Sequence, residues 1–152
     1  MRYEVVFTFV FEIETDPTPE QIQYLADRLY EFNSTATGIT DGQGLAIFVR
    51  DAQDRTVAGI CGHTWGGCYE IRQLWVAESR RRQGIGTKLL QAAEQEARRR
   101  HCRQMVLTTF DFQAPAFYTK RGFHRLTAVD DYPQGHQSLL LQKALVSQGG
   151  AS

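Results

Sequence analysis

Three groups of side chains in this chain have types and spacings that could do chemistry. The first is the run Arg81-Arg82-Gln83-Gly84-Ile85-Gly86-Thr87, which follows the apolar Leu74-Trp75-Val76 and precedes a stretch of helical periodicity. Two residues without Cβ bulk therefore sit where a strand passes into a helix N-terminus. The first amides of a helix have no intrahelical partner and lie at the positive end of its dipole, so a phosphate accepting from them is stabilised there. The charge of Arg81 or Arg82 adds to that site. The second group is Glu70 and Arg72, which share one face of a strand. One is a carboxylate able to take a proton and the other a cation able to orient a carboxylate-bearing partner. The third is Tyr118, set midway between Ala114 and Gly122, whose phenol is of a type protonated at neutral pH.

Other readings of the glycine turn fail on residues. A dinucleotide fingerprint G-x-G-x-x-G would need glycine where Leu89 stands, and a P-loop would need Lys directly after the second glycine, where Thr87 precedes Lys88. What remains beside the anion site is a strand-turn-helix whose glycines only relieve strain.

The elements that must position these groups are legible from periodicity. Val5, Phe7, Phe9, Phe11 and Ile13 alternate with residues that turn polar, which predicts a strand over Val5 to Ile13. Thr18-Pro19-Glu20-Gln21 is a helix start with a capping box, and Ile22, Leu25, Leu29 and Phe32 mark one helix face. Asn33 to Gly44 reads as a loop or short broken helix. Leu45 to Arg50, Thr56 to Trp65 and Cys68 to Val76 read as successive antiparallel strands, the last two joined by the two-residue turn Gly66-Gly67. That turn would put Cys61 opposite Arg72, so no Cys61–Cys68 bond is expected and both are read as small buried hydrophobes. A helix over Gly84 to Arg100 buries Ile85, Leu89, Leu90, Ala93 and Ala97, and its basic end, Arg98 to His101, suits the negative helix terminus. Met105 to Phe110 is a strand, making a βαβ unit with Ile71 to Val76. A short helix over Ala114 to Arg121, a strand from Phe123, a turn at Asp130 to Gly135 and a last strand over Ser138 to Ala144 complete the order. His136 reads as a loop residue.

The 152 residues fit one domain, read as 1–146 with a frayed tail over 147–152. Acidic and basic residues balance at 17 each, which argues against a nucleic-acid or anionic-membrane partner. Three cysteines cannot all pair and suit a reducing compartment, so the expected location is cytoplasmic. The apolar N-terminus lacks the cleavage pattern of a signal peptide and is read as part of the fold. No apolar run approaches the roughly 20 residues that span a bilayer. No metal site is expected.

The turn R-x-x-G-x-G behind Leu74-Trp75-Val76, followed by Ala114-Pro115-Ala116-Phe117-Tyr118-Thr119-Lys120-Arg121-Gly122-Phe123, resembles the GCN5-related N-acetyltransferase (GNAT) superfamily, with its A-x-x-x-Y-x-K-x-G-F segment. The likeness spans roughly a third of the chain, Cys68 to Phe123. It implies an α+β fold: a mixed sheet with an antiparallel N-terminal half, a central parallel strand pair with a crossover helix, and a C-terminal hairpin. It also implies acetyl-CoA as the acetyl donor. Leu74, Trp75 and Val76 would present backbone groups to pantetheine and the thioester oxygen, and the Arg82, Gln83, Gly84, Ile85, Gly86 and Thr87 amides would take the pyrophosphate. Tyr118 matches the family's general acid. Glu70 falls where histone acetyltransferases of the superfamily have a general-base Glu, and Glu70 and Arg72 both match His residues of serotonin acetyltransferase. Many members instead activate the amine through water, and Glu70 reads equally as a solvated strand carboxylate. Where the family often has Asn, this chain has Asp111, which cannot donate as Asn does; Gln113 is the candidate to replace it. The region between the first two strands commonly shapes the acceptor site in the family, which makes Tyr24, Tyr30 and Phe32 candidates for substrate contact as well as for core packing.

The expectation is therefore an acetyl-CoA-dependent N-acetyltransferase acting by direct transfer on a primary amine of a small molecule, peptide or protein. A homodimer is compatible with it. The competing readings are a non-catalytic acyl-CoA-binding or regulatory domain, which would not need Tyr118 or Glu70, and a nucleotide-binding module.

Overall fold

The computed structural model describes residues 9–145. They fall into two compact units that divide between Gly38 and Ile39.

In the first unit, helix α1 (Pro19–Thr37) begins as its sequence demands: Gln21 N–H donates to Thr18 Oγ1 at 3.2 Å and Thr18 N–H to Gln21 Oε1 at 2.7 Å. The helix runs further than expected, through Asn33–Thr37. Thr37 Oγ1 donates back to Asn33 O at 2.7 Å, and Gly38, at φ 71°, caps the end by donating to Ser34 O, so the polar last turn has its own bonds. The strand expected over Val5 to Ile13 is corrected in part. Val5 to Thr8 lie outside the described residues, and Phe9 to Ile13 form no strand. Alternation becomes a strand only where a neighbouring edge supplies ladder bonds, and no described strand pairs with these residues.

The second unit is built on a six-stranded sheet in the order β1-β2-β3-β4-β6-β5. The strands are β1 (Gln43–Arg50), β2 (Thr56–Trp65), β3 (Cys68–Val76), β4 (Gln104–Phe110), β5 (His124–Asp130) and β6 (Gln137–Ala144). β3 and β4 are the parallel pair, and every other neighbour is antiparallel. Helix α2 (Ile85–Arg99) makes the crossover, and α3 (Pro115–Thr119) follows β4. Leu89, Leu90, Ala93 and Ala97 of α2 are buried as the periodicity predicted, against Ile60, Tyr69, Ile71, Met105 and Leu141 of the sheet. The basic end of α2 serves the fold: Arg99 pairs with Glu96, and Arg100 bonds Glu96, Gly44 O and Thr64 Oγ1, tying the helix to β1 and β2. Among the described residues no helix is long and apolar enough to cross a membrane.

One irregularity sets up the site. The Gly66-Gly67 turn is where it was expected, with Trp65 facing Cys68, but Cys61 lies opposite Gln73 and not Arg72. Arg72 is an extra residue on β3, a β-bulge beside Gly62. A Cβ on Gly62 would stand 1.9 Å from Glu70 O, so the backbones approach there at a distance only glycine permits. Cys61 Sγ reaches Gln73 Oε1 at 2.8 Å. All three cysteines are free thiols; Cys61 and Cys68 are half-buried, and the buried one is Cys102.

Candidate active site

The β3–β4 ladder runs from Cys68↔Gln104 to Ile71↔Leu107 and stops, although β3 continues to Val76 and β4 to Phe110. The bulge turns β3 away from its parallel partner, and the two strands part. A cleft of about 960 Å³ occupies the gap and runs to the start of α2. Leu74, Trp75 and Val76 form one side, Arg81, Arg82, Gly84, Ile85, Gly86 and Thr87 its end, and Gln113 and Tyr118 the other side. Arg72 lines it as well.

The helix end has the character expected from sequence. Gly84 is the N-cap at φ 77°, and no side chain caps the helix. The first intrahelical bond is Lys88 N–H to Gly84 O, 3.1 Å, which leaves the amides of Ile85, Gly86 and Thr87 without an intrahelical acceptor. Arg82, at φ 62°, holds a left-handed conformation uncommon for a residue with a Cβ. The turn before it contains one 3-10 turn, Glu78–Arg80. Arg81 Nε donates to Val76 O at 3.1 Å, which fixes its guanidinium beside the end of β3. Gln83 is tied back to Ser79 O at 3.4 Å and does not line the cleft.

A cation missed in the sequence reading stands opposite. Arg121 donates to Thr87 Oγ1 and to Phe117 O, with its guanidinium 3.8 Å from the Phe117 ring centroid. The four-residue spacing of Phe117 and Arg121 was the available signal. Arg80, Phe110 and Phe112 also line the cleft.

Tyr118 is held by rings, edge-on to Phe117 at 5.1 Å and to Phe123 at 5.7 Å. Burial pushes its phenol above the ordinary value near 10. Among the described residues no protein group accepts a hydrogen bond from its hydroxyl. The loop after β4 is organised differently from a donor at position 111. Asp111 turns toward β6, accepting from Gln137 N–H at 3.1 Å and pairing with His136 Nδ1 at 3.0 Å. His136 packs edge-on to Phe112 at 4.8 Å. Gln113 Oε1 accepts from Phe110 N–H at 2.9 Å and Thr109 Oγ1 at 3.0 Å, so its amide nitrogen is the end left to donate into the cleft.

Glu70 does not line the main cleft. It lines a second cavity of about 320 Å³ with Val106 and Leu140, and its carboxylate lies 3.6 Å from Arg72 Nε. The two cavities share Ile71, Arg72, Gln73, Leu107 and Thr108, the residues where the strands part. Glu70 and Tyr118 thus belong to different cavities that meet in one gap. Tyr30 lies on α1, in the first unit.

Residues 7–123 match the Acetyltransferase (GNAT) family. The chain is 32% identical over 119 residues to acetyltransferase Atu2258 of Agrobacterium fabrum, covering 78% of this chain and 87% of that one. It is 38% identical over 113 residues to blasticidin-S acetyltransferase of Streptomyces morookaense, covering 72% and 83%. A crystal structure of an acetyltransferase from Bacillus cereus aligns at a TM-score of 0.72 with 28% identity, over 88% of this chain and 98% of that one. A family match over most of the chain, two acetyltransferase relatives and this shared fold stand beside the uncapped helix end and the parted strands: the chain belongs to the GNAT acetyltransferase family and is an acyltransferase.

Proposed function

We propose that this protein transfers the acetyl group of acetyl-CoA directly to a primary amine of a small, polar molecule. The observation that carries the reading is the junction of two cavities where β3 and β4 part, one ending at the bare amides of α2 and the other lined by Glu70. A donor and an acceptor entering from the two sides would meet at Arg72, Gln73 and Thr108 without an intervening enzyme nucleophile.

Acetyl-CoA supplies an acyl thioester whose carbonyl carbon is the electrophile. The Ile85, Gly86 and Thr87 amides, with Arg81, Arg82 and Arg121, bind its phosphates. The free edge of Leu74 to Val76 aligns the pantetheine arm and polarises the carbonyl, and the amide nitrogen of Gln113 supplies the donor that Asp111 cannot. As the C–N bond forms and the C–S bond breaks, Glu70 takes a proton from the amine, directly or through water, and Tyr118 gives one to sulfur. Arg72, beside Glu70, is placed to orient the acceptor. A small-molecule acceptor is favoured by the 38% identity to a relative named for blasticidin-S. The three free thiols suit a reducing compartment such as the cytoplasm.

The test is a panel of antibiotic amines, small polyamines, amino acids and peptides, followed by release of coenzyme A thiol. Acetyl-CoA-dependent turnover of a small amine is expected, and Glu70→Gln should slow it by about 10²-fold near neutral pH with partial recovery at high pH. If peptides alone are turned over, the acceptor class is wrong. If Glu70→Gln keeps the parental rate and pH profile, Glu70 is not the base.

A further inference from the structure

An aliphatic amine arrives at neutral pH as an ammonium, so its nitrogen must shed two protons in each turnover, one before it attacks and one after the C–N bond forms. Tyr118 returns one proton to sulfur. A single carboxylate in an open cavity is a narrow outlet for the other traffic.

The strand register supplies a second group. His63 on β2 stands directly opposite Glu70 on β3. The pair belongs to the regular stretch of ladder fixed by the Gly66-Gly67 turn, before the bulge intervenes: Trp65↔Cys68, Thr64↔Tyr69, His63↔Glu70. Thr64 and Tyr69 are buried, at 3% and 0% exposure, on the α2 face of the sheet, so their neighbours His63 and Glu70 share the opposite face. Directly opposed residues of an antiparallel pair hold their Cβ atoms roughly 5 Å apart. His63 is half-buried beside the exposed Glu70. Among the described residues of β1 to β3, other side chains of that face near the pair can be named. Arg72 lies 3.6 Å from the Glu70 carboxylate, Cys61 is engaged with Gln73, and Cys68 lies diagonally across from His63. β1 places uncharged Gly44 opposite His63, with Ala46 and Phe48 further along.

We propose that His63 is the relay partner of Glu70: the imidazole directly across the strand pair takes on, through water, the proton that Glu70 removes from the acceptor amine, and passes it to solvent. Imidazole suits this because its two ring nitrogens let it accept a proton at one and release one from the other. The proposal rests on Glu70 acting as the base in the reaction above.

The experiment compares the parent, Glu70→Gln, His63→Gln, His63→Asn and the double variant Glu70→Gln/His63→Gln, measuring kcat/KM for the acceptor from pH 5.5 to 9.5 by thiol release. Acetyl-CoA binding is followed by calorimetry. Both His63 variants should bind acetyl-CoA as the parent does and lose roughly 10-fold in kcat/KM at pH 7. The deficit should shrink toward high pH as free amine becomes abundant. The double variant should be no slower than Glu70→Gln alone, because a relay without its base has nothing to pass on. A parental rate and profile in both His63 variants, with Glu70→Gln impaired, overturns the relay and leaves Glu70 standing. Loss of activity with an unchanged profile shape overturns it too, since that marks a structural histidine. A parental Glu70→Gln removes the base itself.

Discussion

A leaving-group acid needs a held ring and a proton free to donate, and the surroundings of Tyr118 are compatible with the role proposed for it. Phe117 and Phe123 hold its ring, and the hydroxyl has no competing acceptor among the described residues. Burial raises the phenol above its ordinary value near 10, so the proton is present throughout the working range. Tyr118→Phe keeps the ring contacts and deletes the proton. Turnover should fall by about 10²-fold while acetyl-CoA affinity and melting temperature stay close to parental. A parental rate, or parallel loss of stability and activity, would sink the assignment. A group whose folded pKa is raised contributes its stability below the unfolded value near 10 and loses it as pH rises toward the folded one. Tyr69, buried on the α2 face and likewise raised by desolvation, adds to the effect. Thermal melts should therefore weaken above about pH 10, and less so in Tyr69→Phe once its lower baseline is subtracted. The sequence singled out Tyr118 through its place in a motif. It did not reveal Arg121, because a cation's partners across 34 residues, here Thr87, depend on how α3 and α2 meet.

Elements were legible wherever local pattern sufficed. The burial stripe of α2, the capping box of α1, the Gly66-Gly67 turn and the parallel pair around α2 follow from periodicity and turn chemistry. Register was not. The bulge at Arg72 is a property of two strands together, and a turn-based count therefore misplaced Cys61 by one residue. Its physical anchor is Gly62, so Gly62→Ala should be among the costliest small substitutions in the chain. A methyl 1.9 Å from Glu70 O forces the backbones apart. The expected loss is about 2 kcal/mol, a fall in melting temperature of roughly 5 °C, with activity falling further because Glu70 moves with the strand. Parental stability for Gly62→Ala would mean the close approach is dispensable. The glycine turn behaves oppositely. A Cβ on Gly86 would lie 3.4 Å from Phe117 Cζ, an ordinary contact, so Gly86→Val should leave the fold intact while its extra methyls crowd the proposed phosphate site. Calorimetry should find acetyl-CoA binding weakened at least 10-fold with little change in melting temperature. Undiminished binding would make the turn purely structural.

At the scale of the whole sheet unit, the fold divides labour across its two faces. The α2 face carries the packed core and the cleft proposed to hold the donor's phosphates, and the opposite face carries Glu70, His63 and the smaller cavity. The gap where β3 and β4 part is the shared passage. This arrangement predicts the order of chemical events. If the two cavities joined at Arg72, Gln73 and Thr108 take donor and acceptor as proposed, both substrates are present before acetyl moves, and no residue between them need carry the acyl group. Cys61 lies on the Glu70 face opposite Gln73, one of the residues at the junction, and its Sγ is engaged with that residue. Initial-rate measurements that vary acetyl-CoA and acceptor together should give intersecting double-reciprocal lines, the pattern of a ternary complex. Mass spectrometry of protein incubated with acetyl-CoA alone should find no acetylated side chain, and Cys61→Ser should retain turnover. Parallel lines together with an acetylated Cys61 would replace direct transfer by a covalent, two-step route, and the junction of the cavities would then lose its mechanistic meaning.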